Sequence, residues 1–188
     1  MKNFNLENIL NKNKVLIDIS KNYMNTINDY EHDSNHINDV IENIVKIINN
    51  IDEKFDTEVC IIAAYWHDVG RTKENEGHEQ VSAEMLRKEM TRLDYEEIKI
   101  QKCYDAILYH KWTMTPQTIE GKIVKDADKL AWIGKGRWTS CLNNNHKLEE
   151  IEKVLPKLRN QILYFEYTKK LYDEQIVNLV NLLYSKIN

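Results

Sequence analysis

Residues that break regular structure are scarce in this sequence. It contains only 5 glycines and 2 prolines among 188 residues, which disfavours a fold built from many tight turns. No apolar run approaches the roughly 18 residues that a transmembrane helix needs. The first residues, MKNFNLE, lack the apolar core of a signal peptide. These absences predict a cytoplasmic protein that does not enter a membrane.

Cysteine and positive charge are also limited. The three cysteines, Cys60, Cys103 and Cys141, are widely spaced and form no CxxC pair. That pattern disfavours both a disulfide framework and a zinc-thiolate site, and it suits a reduced cytoplasm. The net charge of −4 gives no basic field of the kind that binds nucleic acid.

The remaining composition is that of one globular domain with a sizeable core, 42% hydrophobic and 30% charged. Apolar residues recur at helical spacing through most of the chain. Residues 6–30 predict one amphipathic helix or two short ones, and Ile37 to Ile48 predict a strongly amphipathic helix. Residues 148–187 predict two more helices, with Pro156 as a kink or a start. We therefore expect an all-α bundle of about seven to nine helices.

Capping residues predict several helix boundaries. Asp33 or Ser34 can cap the helix that contains Ile37, and Asp94 can cap a helix that leads to His110. The Thr115-Pro116 pair fits an N-cap followed by proline in the first turn. Residues 137–146 are expected to be irregular or only briefly helical. Residues 79–93 predict a helix with an inward face, which comprises Val81, Met85, Met90 and Leu93.

The most informative stretch is YWHDVGR at residues 65–71. An uncharged run from Val59 to Trp66 predicts a buried helix that starts near Thr57, with Asp56 or Thr57 as its cap and Trp66 in the core. The helix ends in His67 and Asp68, and the following Gly70 is a helix stop. Two metal-binding side chains at the end of a buried helix indicate a site, because polar groups there cost stability without partners. The alternative is a helix end that happens to carry them.

Histidines extend this candidate site. Of the six histidines, His32 is predicted to be a junction residue, with a supporting position beside the ligands as the alternative, and His146 lacks a supporting context. The other four lie at predicted helix ends, and helix ends on one side of a bundle can converge on one cavity. With two aspartates they form a candidate nitrogen–oxygen site for Mn, Fe, Co, Ni or Zn, which also tolerates Mg. The residues are His36, His67, His78, His110, Asp68 and Asp128.

The order and local contexts of these residues resemble the HD-domain superfamily of metal-dependent phosphohydrolases, and in particular its small bacterial members. The resemblance covers about residues 15–135 and departs from the pattern at Asp39, where many members have arginine. The matching segments are DSNHINDV (33–40), YWHDVGR (65–71), GHEQVSA (77–83), AILYH (106–110) and KDADKL (125–130).

The resemblance implies a single HD domain over residues 1–188, with the motifs in 30–135 and C-terminal helices in 148–187. It implies a helical bundle that binds a divalent metal ion, and histidines at the positions of His78 and His110 bind a second metal or the substrate phosphate in some relatives. Asp128 is preferred to Asp126 because the family's last ligand precedes Lys/Arg-Leu, which leaves Asp126 as a supporting residue. The implied ligands are His36, His67, Asp68 and Asp128.

The chemistry of these side chains agrees with that implication. Two carboxylates roughly neutralise a 2+ ion, which can still polarise a phosphoryl oxygen and lower the pKa of bound water for attack on phosphorus. We assign catalytic roles to Asp68, Arg71 and Lys129, although Arg71 could instead cap a helix end. The predicted substrate-binding residues are His78, His110, Lys73 and Lys111. A solvated loop histidine at 78 and a core histidine at 110 are the alternatives.

The predicted function is therefore hydrolysis of a nucleotide or related small phosphoester by a monomer or homodimer. One alternative is an HD-fold di-iron oxygenase, which requires two metals held by the additional histidines. The other is a non-catalytic regulator that binds a nucleotide or metal, against which the full ligand set argues. The sequence does not specify the base, the sugar, the native metal or the bond that is cleaved.

Overall fold

Helices account for all the regular structure in the described residues of the computed structural model, which are 4–27, 32, 34–134 and 157–187. The fold is all-α, as predicted. Residues 137–146, His146 and Pro156 lie outside the described residues. None of the described helices is both long and apolar enough to cross a membrane.

Eight α-helices are described, together with two shorter helical segments. A 3-10 helix, Val69–Thr72, follows α4, and a π-helical segment, Leu158–Ile162, precedes α8. The α-helices are α1 Leu6–Lys12, α2 Lys14–Met24, α3 Ser34–Asn50, α4 Thr57–Trp66, α5 His78–Arg92, α6 Glu97–Leu108, α7 Ile119–Ala131 and α8 Glu166–Ile187.

Helix α4 is the centre of the bundle. Every residue from Val59 to Trp66 is buried, because the helix packs against α2, α3, α6 and α7. Asp56 caps its start by accepting hydrogen bonds from the backbone N–H groups of Glu58 and Val59. The predicted buried helix, its cap and the core position of Trp66 are thus confirmed, and the Trp66 indole donates to the carbonyl of Leu16.

Five helices, α2, α3, α5, α6 and α7, contact α4 and fix where its polar end lies. Helix α3 packs along α7, and α5 packs along α6. The 3-10 helix contacts the start of α5. This arrangement brings the start of α3, the end of α4, the start of α5 and the end of α6 to the same region beside α7. A single polar cavity can therefore draw side chains from five helices.

The C-terminal helix is attached to α7 through one buried carboxylate. Asp126, which is fully buried, accepts hydrogen bonds from the backbone N–H of Tyr164, the backbone N–H of Phe165 and the hydroxyl of Thr168. These donors lie at the start of α8, where backbone N–H groups have no partner within the helix. Asp126 thus anchors α8 to the helix that carries Asp128.

Several predicted helix boundaries were wrong. Asp94 has a positive φ of 58° and lies in the turn before α6, so it does not cap that helix; Glu96 occupies the N-cap position. The cap of α7 is Thr118, whose side chain accepts from Gly121 N–H, while Pro116 lies in the preceding loop. The α5 face is also displaced, with Ala83, Leu86 and Met90 fully buried and Val81, Met85 and Leu93 only partly buried.

Candidate metal centre

The buried polar residues of the cavity come from five separate helices or their ends. His36 lies in the first turn of α3, and His67 and Asp68 directly follow α4. His78 begins α5, His110 follows α6, and Asp128 lies within α7. All six side chains are at least nine-tenths buried, although imidazole and carboxylate groups are costly to bury without partners.

One cluster consists of His36, His67 and Asp128, each of which offers a ligand atom within 4.8 Å of the others. His36 Nε2 lies 3.2 Å from His67 Nε2 and 3.3 Å from Asp128 Oδ1. His67 Nε2 lies 3.8 Å from the same carboxylate oxygen. Two imidazole nitrogens and one carboxylate oxygen converging in this way match the ligand set of a divalent transition metal.

A second cluster consists of Asp68, His78 and His110, and its ligand atoms also lie within 4.8 Å of one another. Asp68 Oδ1 is 3.2 Å from His78 Nε2 and 4.0 Å from His110 Nε2. His110 also stands against the first cluster, since its ring centroid is 5.2 Å from that of His67. The two clusters are therefore adjacent parts of one site.

Asp68 joins the two clusters because its two oxygens face different groups. Oδ2 lies 3.2 Å from His67 Nε2 and 3.7 Å from His36 Nε2, whereas Oδ1 faces His78 and His110. A carboxylate placed in this way can contribute one oxygen to each of two neighbouring cation sites.

Backbone carbonyls orient three of the imidazoles. A carbonyl only accepts hydrogen bonds, so each Nδ1 must donate its proton to it, which leaves Nε2 unprotonated in the neutral ring. Outer hydrogen bonds of this type fix the tautomer and direction of metal-binding histidines. The pairs are His67 Nδ1 with Ala64 O at 2.7 Å, His78 Nδ1 with Asn75 O at 2.9 Å, and His110 Nδ1 with Ile107 O at 2.6 Å.

Burial and neighbouring charges determine the protonation of the site. Burial lowers the pKa of His110 to about 3, with a further decrease from the charge of Lys129, so its imidazole is neutral near pH 7. Burial lowers the pKa of His67, but the charge of Asp68 outweighs it and the pKa is raised overall. Burial raises the pKa of Asp128, yet the charge of Lys129 holds it well below its usual range. Neutral His110 suits a metal better than an anionic phosphate.

The clusters open into a cavity of about 440 Å³, within the size range of small-ligand sites. Its lining combines cations, aromatic rings and the candidate metal ligands. The lining residues are His32, Asp68, Arg71, Asn75, Glu76, His78, His110, Lys111, Trp112, Asp128, Lys129 and Trp132. A larger groove of about 550 Å³ between α3 and α8 has no histidine in its lining, so we assign the chemistry to the smaller cavity.

Three of the four predicted basic residues line this cavity, and each contacts a carboxylate. Arg71 Nε lies 2.8 Å from Asp68 Oδ1, Lys111 Nζ lies 3.0 Å from Glu79 Oε1, and Lys129 contacts Asp128 Oδ2. Lys73 is exposed and does not line the cavity, because the 3-10 helix ends just before it. The expectation that Lys73 contacts substrate is therefore not supported by its position.

Gly70 has a different role from the predicted helix stop, since α4 already ends at Trp66. Its backbone N–H donates to Ser82 Oγ at 2.7 Å. A Cβ at this position would lie 2.2 Å from the carbonyl oxygen of His78 and 2.7 Å from Ser82 N. Only glycine allows α5 to approach this closely, and the approach places His78 beside Asp68.

Five residues that line the cavity were not among the predicted site residues. They are His32, Asn75, Glu76, Trp112 and Trp132. His32 Nε2 lies 4.0 Å from Asp68 Oδ2, which fits the alternative of a supporting position better than the preferred prediction of a junction residue. Its position four residues before His36 was the available signal. Trp112 and Trp132 are in edge-to-face contact, with centroids 6.1 Å apart. Both follow motif histidine or aspartate residues within four positions. Asp126 binds the start of α8 rather than a histidine of the site.

Comparisons with known proteins bear on the family and the fold of the chain. A sequence model of the HD domain matches residues 34–133, more than half of the chain. A solved structure described as a predicted HD superfamily hydrolase, from an uncultured Thermotogales bacterium, superimposes with a TM-score of 0.71 and 23% identity over 98% of each chain. That likeness shows a shared fold. No curated protein matches the chain. The matched segment contains every residue of the two clusters, and the chain belongs to the HD-domain family.

Proposed function

We propose that this protein is a divalent-metal-dependent phosphohydrolase that acts on a nucleotide or related small phosphoester. The observation that carries the proposal is the pairing of two buried histidine–aspartate clusters with three cations around one cavity. Membership in the HD-domain family supports metal-dependent hydrolysis as the general activity. The packing of α8 on α7 and α3 supports our further proposal of a single domain.

The donor set fits a metal ion. His36, His67, Asp68 and Asp128 would hold the first ion, and Asp68, His78 and His110 offer a second position. The two aspartates are ionised at neutral pH, since nearby positive charge holds both pKa values well below the usual range despite burial. A bound divalent ion supplies Lewis acidity and lowers the pKa of coordinated water.

The chain's own cations suit the binding of a phosphoryl group. Arg71, Lys111 and Lys129 line one cavity with the clusters, and charged donors form strong hydrogen bonds to phosphate oxygens. Lys129 is 8% exposed at its side chain and lies 5.1 Å above the Trp112 ring, which restricts its movement. A positioned cation of this kind stabilises charge on phosphate during transfer without the cost of reorganising solvent.

The test is phosphate release from a panel of nucleotides and simple phosphoesters, each assayed with Mn²⁺, Mg²⁺, Co²⁺ or Ni²⁺. Wild-type protein should hydrolyse at least one compound, and Asp68→Ala should abolish that activity while its far-ultraviolet circular dichroism stays unchanged. Asp52→Ala, which removes an exposed carboxylate outside the cavity, is the matched control. Unfolding of the Asp68→Ala variant or of the metal-free protein would instead indicate a structural metal.

The second cluster also supports one other candidate, a di-iron oxygenase. Asp68 faces both groups of histidines, so it can bridge two ions, and neutral His110 suits iron as well as other transition metals. Protein loaded with iron should then give a mixed-valent electron paramagnetic resonance signal. Phosphate release without such a signal favours the hydrolase.

A further inference from the structure

The two clusters differ in which carboxylate oxygen a neighbouring basic side chain contacts. In the first, Lys129 contacts Asp128 Oδ2, while the other oxygen, Oδ1, faces His36 and His67. In the second, Arg71 Nε lies 2.8 Å from Asp68 Oδ1, the same oxygen that faces His78 and His110. The ligand oxygen of the first cluster is left open to a metal, whereas that of the second is shared with a guanidinium.

We propose that Arg71 regulates the second cluster: its guanidinium disfavours a divalent cation there until a phosphate anion draws it into the cavity. The inference rests on the proposed metal centre and concerns the order in which its ligands bind. A cation bound to Asp68 Oδ1 would be placed against the fixed positive charge of arginine, and like charges at one oxygen repel strongly in a buried site. Among the residues that the structure describes, no lysine or arginine contacts Asp128 Oδ1, the ligand oxygen of the first cluster.

The position of Arg71 allows its guanidinium to leave Asp68 and bind a phosphate anion in the cavity. It belongs to the four-residue helix Val69–Thr72, its side chain is 20% exposed, and it lines the cavity. Within the described residues its hydrogen bonding to other side chains is limited to Nε with Asp68. The two terminal nitrogens of the guanidinium therefore remain available for a forked contact with phosphate oxygens.

The second cluster also contains a buried nitrogen, His78 Nε2, that could bind a cation. In the described part of the chain, the buried atom His78 Nε2 makes no hydrogen bond, although it lies 3.2 Å from Asp68 Oδ1. Buried polar atoms are rarely left without a partner. A cation between His78, His110 and Asp68 would satisfy this nitrogen, and removal of Arg71 from Oδ1 would free the third ligand.

The proposal couples phosphate binding to metal binding, so each should strengthen the other by the same factor. Direct attraction between a metal and a phosphate would produce a similar coupling. The two explanations differ in their dependence on Arg71, because direct attraction persists when the arginine is removed.

The experiment measures Mn²⁺ binding by equilibrium dialysis and calorimetry, with and without inorganic phosphate. Wild-type protein should bind about one ion alone and about two with phosphate, the second gaining roughly tenfold or more in affinity. Arg71→Ala and Arg71→Gln should bind about two ions with or without phosphate. Adding His110→Ala to Arg71→Ala should remove the second ion. Lys88→Ala, which removes an exposed lysine of α5, should behave as the wild type.

The proposal would be overturned if phosphate increased the affinity for the second Mn²⁺ ion equally in wild type and in both Arg71 variants. It would also be overturned if wild type bound the second ion equally well without phosphate. Folding of the variants is checked by circular dichroism, and Arg71→Gln keeps a long polar side chain if Arg71→Ala is unstable. Absence of phosphoester hydrolysis together with Arg71-dependent Mn²⁺ binding would refute the proposed function alone. Hydrolysis with Arg71-independent metal binding would refute this inference alone.

Discussion

Replacement of Gly70 with alanine tests whether close packing of α5 builds the second cluster. The new Cβ would lie 2.2 Å from the His78 carbonyl oxygen, 2.7 Å from Ser82 N and 2.9 Å from Ser82 Oγ. Ordinary contacts are about 3.5 Å, so α5 and the turn that contains Asp68 must separate by about 1 Å. Two of the three clashing atoms belong to the backbone, so rotation of the Ser82 side chain cannot relieve the clash.

Overpacking of this kind costs about 1–3 kcal/mol, and in a protein of this size each kcal/mol lowers the melting temperature by about 2–4 °C. Gly70→Ala should therefore melt roughly 2–12 °C below wild type. Separation of His78 from Asp68 should also weaken Mn²⁺ binding at the second cluster, measured with inorganic phosphate present. The first cluster, which does not include His78, should keep its affinity.

Gly77→Ala is the matched control, because Gly77 lies on the other side of the same loop and precedes His78. A Cβ there meets nothing within 4 Å, but the φ of 75° strains alanine, at a cost of about 1 kcal/mol. This control should lose a little stability and retain both metal affinities. The packing argument would be refuted if Gly70→Ala had the same melting temperature and the same Mn²⁺ affinity as the wild type.

Three further predictions concern other parts of the chain. Thr168→Val should lower the free energy of unfolding by about 1–2 kcal/mol in denaturant titrations, because Asp126 loses its hydroxyl donor. Burial raises the pKa of Glu58, but hydrogen bonds from Lys99 and Lys12 bring it down to about 2. The free energy of unfolding should therefore fall by about 2 kcal/mol between pH 4.5 and 2, as Glu58 is protonated. Glu58→Gln should reduce this pH dependence of stability in acid titrations. Lys129→Gln should reduce kcat/KM for a phosphoester by roughly 10²-fold, in steady-state assays.

The sequence predicted the parts of the fold that depend on local pattern. The uncharged run from Val59 to Trp66 could only be a buried element, and Asp56 precedes it at capping distance, so α4 and its cap followed from residue type and spacing. Thr115-Pro116 was misleading because the same local preference is met by Thr118, three residues later. The choice between two acceptable caps depends on packing, and Pro116 is buried in the preceding loop.

The candidate ligands were predictable as a set because all except Asp128 lie at a helix end, and because their order resembles a known family. The division of Asp68 between two clusters was not predictable, since it depends on the direction of each carboxylate oxygen. Three other features were also not predictable. The attachment of α8 to Asp126 joins segments far apart in sequence. The contact of Arg71 with Asp68 and the approach of α5 to Gly70 depend on atomic distances. Such features are set by tertiary packing and leave no periodic signal.

The most direct measurement of the central claim is the position of Mn²⁺ in an anomalous difference map from a crystal of the wild-type protein. We expect a peak between His36, His67, Asp68 and Asp128, with ligand distances of about 2.0–2.3 Å. With inorganic phosphate we expect another peak beside His78 and His110. Mn²⁺ bound elsewhere, with both clusters empty at saturating metal, would refute the proposed metal centre.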